Sequence, residues 1–231
     1  QIKRKTMSRS KLSIKNSTFS IITDGECDSL SDTSLEVVFV GANPNLSKIW
    51  YESEWSGDRD SNTPDCFSLD GKTPSSSSVS PQNDICALCP RNAWGSKITP
   101  QGYKIKDCSD IKRVAVILVD KPRRGVCLLN ITPSSLKNLN AYHKTLSMRG
   151  IAPEIAKTVL SFDESVDYPR LKFNFGGFLS EDVQKYVDTY IGSDDVKYVT
   201  GELTMPSGQS ATAEDFGFSV EVGYITNKEE K

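Results

Sequence analysis

"RVAVILVDKPRRGVCLLNI", residues 113–131, is the stretch from which the fold can be read. Two runs of β-branched and aliphatic side chains, 113–120 and 126–131, flank "KPRRG". Such side chains suit a pleated, packed surface. A five-residue connection suits a hairpin, with Gly125 supplying a positive φ. Further strands are predicted at 35–42, 48–53, 156–162, 170–175 and 218–225, each bounded by Gly, Pro, Asn or Asp.

Two helices interrupt these strands. The first runs from Thr132 as N-cap, with Pro133 in the first turn, to a stop at Gly150, and carries Leu136, Leu139, Tyr142 and Leu146 on one face. The second spans 180–191, with Ser180 as cap and a stripe of Val183, Tyr186, Val187, Tyr190 and Ile191. Both read as covers on a sheet. The fold class expected is β-rich α+β, with an OB-like sheet or barrel as a candidate core covered by two helices.

Composition sets the limits on function. A chain of 231 residues that is 37% hydrophobic and 25% charged can bury an ordinary globular core. A formal charge of -2 argues against a uniformly basic nucleic-acid binder, but a local basic groove remains open because binding follows the local field. Residues 1–23 hold six cations and no acid, whereas 214–231 hold five acids against two lysines. No apolar run is long enough to span a membrane and no signal-like segment opens the chain, so a cytosolic protein is expected.

Residues 54–112 break the pattern and divide the chain into N-terminal strands at 1–53, an insertion, and the remainder of the main domain at 113–231. The insertion is rich in Ser, Pro, Asp and Gly, and "GKTPSSSSVSPQND" by itself reads as a linker. A loop of this length needs a source of order. Cys66, Cys86, Cys89 and Cys108 bracket it, and in a reducing compartment a CxxC with two further cysteines points to a metal rather than to disulfides. Four thiolates suit tetrahedral zinc, with an iron–sulfur cluster as the alternative. A thioredoxin-like reading of the CxxC lacks the helix it needs, and Cys27 and Cys127 read as small buried hydrophobes outside the site.

The same segment carries a candidate nucleic-acid surface. Arg91, Lys97, Lys104, Lys106, Lys112 and Arg113 face only Asp107 and Asp110, with Trp94 and Tyr103 among them. Cations neutralise phosphates and aromatic rings stack on bases, which together hold single strands without sequence preference. The contacts expected are Arg91, Trp94, Lys97, Tyr103, Lys104, Lys106 and Arg113. The competing readings are a Trp94 that plugs a small core beneath the metal, and lysines that merely solvate a loop.

"PDCFSLDGKTPS", "PQNDICALCPRNAWGS", "GYKIKDCSDIKRVAVIL" and "LLNITPSSLKNLNAYHKTLSMRGIAP" occur in this order. The run from about residue 66 to 173 resembles a family of bacteriophage proteins, some assigned as single-stranded DNA-binding proteins. The resemblance implies that the four bracketing cysteines are the family's cysteines and Trp94 the tryptophan of its "WGS". "KIKDC" is less basic than the family pattern at that point, and "ITNKEEK" lacks an acidic tail ending in an aromatic residue.

The expectation is a non-catalytic single-stranded DNA-binding protein of a phage, acting in the host cytoplasm in replication, recombination or transcription, with phage polymerase or replication proteins as possible partners and no membrane partner. Two rivals are a transcription cofactor that recruits RNA polymerase and a virion or interaction protein whose zinc is purely structural. An enzyme is the third. The single histidine, His143, has no paired carboxylates nearby in sequence, and no Walker loop or HExxH is present. The acids of "DGECD" and "SGDRD" offer a Mg site of the kind a nuclease uses, but acidic loops more often face water.

Overall fold

The computed structural model describes residues 10–15, 17–23, 26–31, 33–52 and 64–203. The strand expected at 218–225, the cations at positions 3–9 and the acids of 56–60 lie outside the described residues. In chain order the strands are β1 (Ser10–Lys15), β2 (Thr18–Thr23), β3 (Glu26–Ser31), β4 (Ser34–Ala42), β5 (Ser47–Trp50), β6 (Cys66–Ser68), β7 (Lys97–Ile98), β8 (Lys104–Ile105), β9 (Ser109–Leu118), β10 (Cys127–Ile131), β11 (Ala156–Phe162) and β12 (Leu171–Phe178). The α-helices are α1 (Pro133–Met148), α2 (Glu181–Asp188) and α3 (Asp194–Thr200).

The hairpin read from 113–131 forms the middle of the sheet. β9 and β10 pair antiparallel, with Val116 opposite Cys127 and Val114 opposite Leu129. Their connection is longer than five residues, because the ladder stops at Leu118 and a short 3-10 turn fills Pro122–Arg124, with Gly125 at φ 83°. The principal sheet runs β12-β11-β4-β9-β10-β1-β2-β3. β1 joins β10 in parallel and the remaining pairings along this path are antiparallel. β5 is added beside the first residues of β9, and β6 beside β5.

The sheet curls. β2 and β11 lie five strand positions apart, about 24 Å in a flat sheet, yet the rings of Phe19 and Phe162 stack with centroids 4.5 Å apart. The inner core holds Val114, Val116 and Leu118 of β9, Cys127, Leu129 and Ile131 of β10, and Leu139, Tyr142 and Leu146 of α1. The alternate residues Ala115 and Ile117 face the other way, against Val38, Val40, Val187 of α2 and Val196 of α3. A strand covered on both faces has no polar face to show, which is why 114–118 is an unbroken apolar run.

Among the described residues six strands and one helix had not been anticipated: β1, β2 and β3, the short β6, β7 and β8, and α3. β1, β2 and β3 carry Ser, Thr, Lys and Asp between their apolar positions, so only alternate residues, such as Leu12, Phe19 and Ile21, are buried. Among the described residues the sheet is covered by three helices rather than two, one on its inner face and two on its outer face. α3 has only seven residues, too few for a periodic stripe, but Ser193 caps it by accepting from the Val196 amide. The stripe expected over 180–191 narrows to buried Val187 with half-buried Val183, Tyr186 and Tyr190, while Ile191 is exposed. Among the described residues no helix is long and apolar enough to cross a membrane.

Candidate nucleic-acid interface

The serine-rich segment is held by more than its cysteines. The amides of Ser75 and Ser80 donate to the carbonyls of Phe67 and Asp65 at 2.7 and 2.8 Å, laying the segment along β6. Asp70 Oδ1 accepts from the amides of Lys72 and Thr73 and from the Ser68 hydroxyl. Burial would raise the Asp70 carboxyl, but these bonds override it and hold it below the ordinary value. Gly71 sits at φ 68° so close to β5 that a side-chain carbon there would lie 2.1 Å from the Leu46 carbonyl oxygen. Only glycine permits that approach.

Cys66 opens β6, Cys86 and Cys89 border two successive 3-10 turns, and Cys108 precedes β9. The Cys89 amide donates to the Cys86 carbonyl at 3.3 Å, Asn92 Nδ2 returns to that carbonyl at 2.9 Å, and the Cys108 amide donates to the Arg91 carbonyl at 2.8 Å. All four cysteines line one cavity of about 10 Å³, roughly the space of a single water. Burial pushes the Cys108 thiol up to about 12, with Lys48 opposing and the other three thiols adding to the rise. Cys86 is raised for the same leading reason. Clustered thiols of this kind resist ionisation by themselves, and a divalent cation would reverse that by stabilising thiolates. Among the described residues no group of three or more His, Cys, Asp or Glu stands ready to hold a metal as placed. The donor set therefore fits zinc in chemistry, while the sulfurs share a cavity rather than a closed shell.

Lys48, Trp50, Asp107 and Asp110 fasten the insertion to the sheet; Lys48 and Trp50 had not been singled out, and the two acids had been named only as counter-charges. Trp50 Nε1 donates to Asp107 Oδ2 at 2.7 Å. Arg91 donates to the same carboxylate at 3.1 Å and lies 4.8 Å above the Trp50 ring. Lys48 bonds Asp110 and also donates to Asn92 Oδ1 at 3.0 Å, and Lys106 reaches Asp110 at 3.1 Å. Burial would raise Asp110, but the bonds from Lys48 and Lys106 keep it low and ionised. The signal for these residues was weak, because they lie on two segments, 48–50 and 107–110, far apart in the sequence.

The expected DNA contacts divide into three groups. Trp94 and Tyr103 are 75% and 71% exposed, and Lys104, next to Tyr103 at the start of β8, is exposed as well. Trp94 is therefore no plug beneath the cysteines. Arg91, Lys97 and Lys106 are engaged with Asp107 and Asp110 inside the insertion. Arg113 does not join the surface: it is 2% exposed and donates to the carbonyls of Val199 and Thr200 at the end of α3. Strand alternation turns Arg113 inward while its neighbour Lys112 reaches out to the carbonyls of Asn43 and Pro44.

Of the two cysteines set aside, Cys127 is fully buried in β10, but Cys27 is exposed on β3 rather than packed as a small hydrophobe. His143 is half-buried, its ring centroid 5.7 Å from that of Phe39, and burial followed by the charge of Lys112 lowers its pKa. Comparison with known proteins finds no matching family model, no matching curated protein and no matching solved structure.

Proposed function

We propose that this chain binds single-stranded DNA without catalysis, through the cysteine-bracketed insertion held on a curled, OB-like sheet. The observation that carries the reading is the exposure of two large aromatic rings, Trp94 and Tyr103, with Lys104 beside them, on a segment fastened from below. Exposed rings on a rigid mount stack on bases without choosing among them. The ion pairs of Arg91, Lys97 and Lys106 moderate the electrostatic part of the contact, so stacking carries the larger share.

Zinc on Cys66, Cys86, Cys89 and Cys108 belongs to the same reading. When bound it would supply cross-linking of three chain segments and no chemistry on the nucleic acid. The resemblance to phage single-strand binders supports a role in phage replication, recombination or transcription in the host cytoplasm. A gel shift comparing single with double strands across a salt series tests the reading. Preference for single strands is the expected result, and equal or absent binding rejects it.

One observation favours a second reading, a protein-interaction module. Leu88 and Ile98 on the same insertion are 70% and 63% exposed, and exposed aliphatic side chains suit a protein partner better than a base. Leu88→Asp separates the two, since it should spare DNA binding and abolish a protein contact.

A further inference from the structure

Between the insertion and the sheet lies a second, much larger cavity, of about 470 Å³. That volume falls in the range, roughly 300–1,000 Å³, that encloses a small organic ligand. Its base includes Ile49 and Ile111, each 1% exposed, and Trp94 forms part of its wall. Lys11 of β1 and Lys106 bring positive charge to the lining. The acid among the lining residues, Asp110, already receives Lys48 as well as Lys106.

An apolar base calls for a planar ring, the indole calls for something to stack upon it, and the cations call for an anion held close to that ring. Ser134, in the first turn of α1, closes another side, where the helix adds a favourable dipole. We propose that this cavity binds one nucleotide, its base against Trp94 and the Ile49–Ile111 base and its phosphate on Lys11 and Lys106. Building on the strand-binding reading, the nucleotide is one unit of the bound strand, turned out of the stack.

Thymidine monophosphate, thymidine, inorganic phosphate and a twelve-residue oligothymidylate, each offered to the full chain in equilibrium dialysis, test the proposal. The monophosphate should bind saturably and at least tenfold more tightly than thymidine or phosphate alone. The oligonucleotide should displace it. Lys11→Met and Ser134→Trp should each weaken monophosphate binding at least tenfold with the thermal transition retained, whereas Lys185→Ala, on α2 at the outer face of the sheet, should leave it unchanged. Phosphate binding as tightly as the nucleotide, or no effect of Ser134→Trp in a folded protein, overturns the pocket. A strand that binds without displacing the monophosphate overturns the strand as its source and assigns the cavity to a free nucleotide. A strand that binds while the monophosphate does not overturns the pocket and leaves the strand-binding reading standing. Monophosphate binding with no strand binding at any salt concentration overturns that reading instead.

Discussion

Arg113, in the middle of β9, donates from Nε to the carbonyl oxygen of Thr200 at 2.9 Å, across 87 positions of sequence. Nη2 of the same guanidinium reaches the Val199 carbonyl at 2.9 Å, and Asn43 Nδ2 adds a bond to Thr200 at 3.1 Å. The carbonyls at the C-terminal end of α3 have no helical partner of their own, and a cation is the donor that the helix dipole favours there. Arg113 is thus a structural clamp between the sheet and its last described helix.

Removing this clamp should destabilise the fold and spare the surface. Arg113→Met leaves buried carbonyls without their charged donor and should cost about 3 kcal/mol in chemical denaturation. Single-strand affinity, measured where the variant is still folded, should match the parent. Lost affinity with unchanged stability would return Arg113 to the binding surface.

The cysteines should act as a set. Elemental analysis should find about one zinc per chain, and Cys86→Ser or Cys89→Ser should remove it and open residues 66–108 to protease. Retention of full zinc in a variant lacking Cys66, Cys86, Cys89 and Cys108 would place the metal elsewhere.

Stacking and charge should separate in the salt dependence. Trp94→Ala and Tyr103→Ala should each cost roughly 1–3 kcal/mol of strand affinity with little change in salt slope. Lys104→Ala should flatten the slope by releasing one phosphate contact, and Lys106→Ala should flatten it less, because that ammonium is held by Asp110 at 3.1 Å. Equal slopes for the two lysine variants would contradict the ion pair's role.

Lys11 should make stability rise with pH. Burial, followed by the charge of Arg113, lowers its pKa from 10.5 to about 8. Below 8 the ammonium is charged in both states and the folded state bears the full penalty; between 8 and 10.5 only the unfolded chain keeps the proton, and the penalty disappears. Lys11→Met should therefore be more stable than the parent at pH 7, by up to about 3 kcal/mol, and the difference should vanish by pH 10.5. Paired denaturation curves at the two pH values check this, and a constant difference would refute it.

Gly71 should be irreplaceable in seating the insertion. An alanine there brings a methyl carbon to 2.1 Å from a backbone oxygen of β5's approach, so the backbone must move. Gly71→Ala should cost about 1–3 kcal/mol, as overpacking does elsewhere. Hydrogen exchange should speed up at Ser75 and Ser80, whose amides are bonded to residues 67 and 65. Unaltered exchange at both amides would show that the insertion is seated by other contacts.

What could be read locally was read from the chain itself. The β9–β10 pair and α1 are encoded within a few residues of each other, by β-branched runs around a turn and by a proline-started stripe of Leu139, Tyr142 and Leu146. The four cysteines were visible as a bracket around a segment with no periodicity, and they do line one cavity. α3 and the strands β1 to β3 escaped because seven residues, or six with polar residues in alternate places, carry little signal until a neighbouring surface buries one side.

The tertiary structure alone decided which charges reach solvent. In sequence, Lys104, Lys106, Lys112 and Arg113 are equivalent members of one basic stretch. In space Lys104 is exposed, Lys106 is tied to Asp110, Lys112 lies against residues 43 and 44, and Arg113 is buried against α3. A strand's alternation says that neighbours point to opposite sides, but not which side another element will cover. For Arg113 that cover comes from Val199 and Thr200, whereas Lys106 meets Asp110 four residues along its own segment, where β5 also brings Lys48. Periodicity is a property of the local backbone and is written in the chain; burial depends on the packing of distant segments, and exists only once they have met.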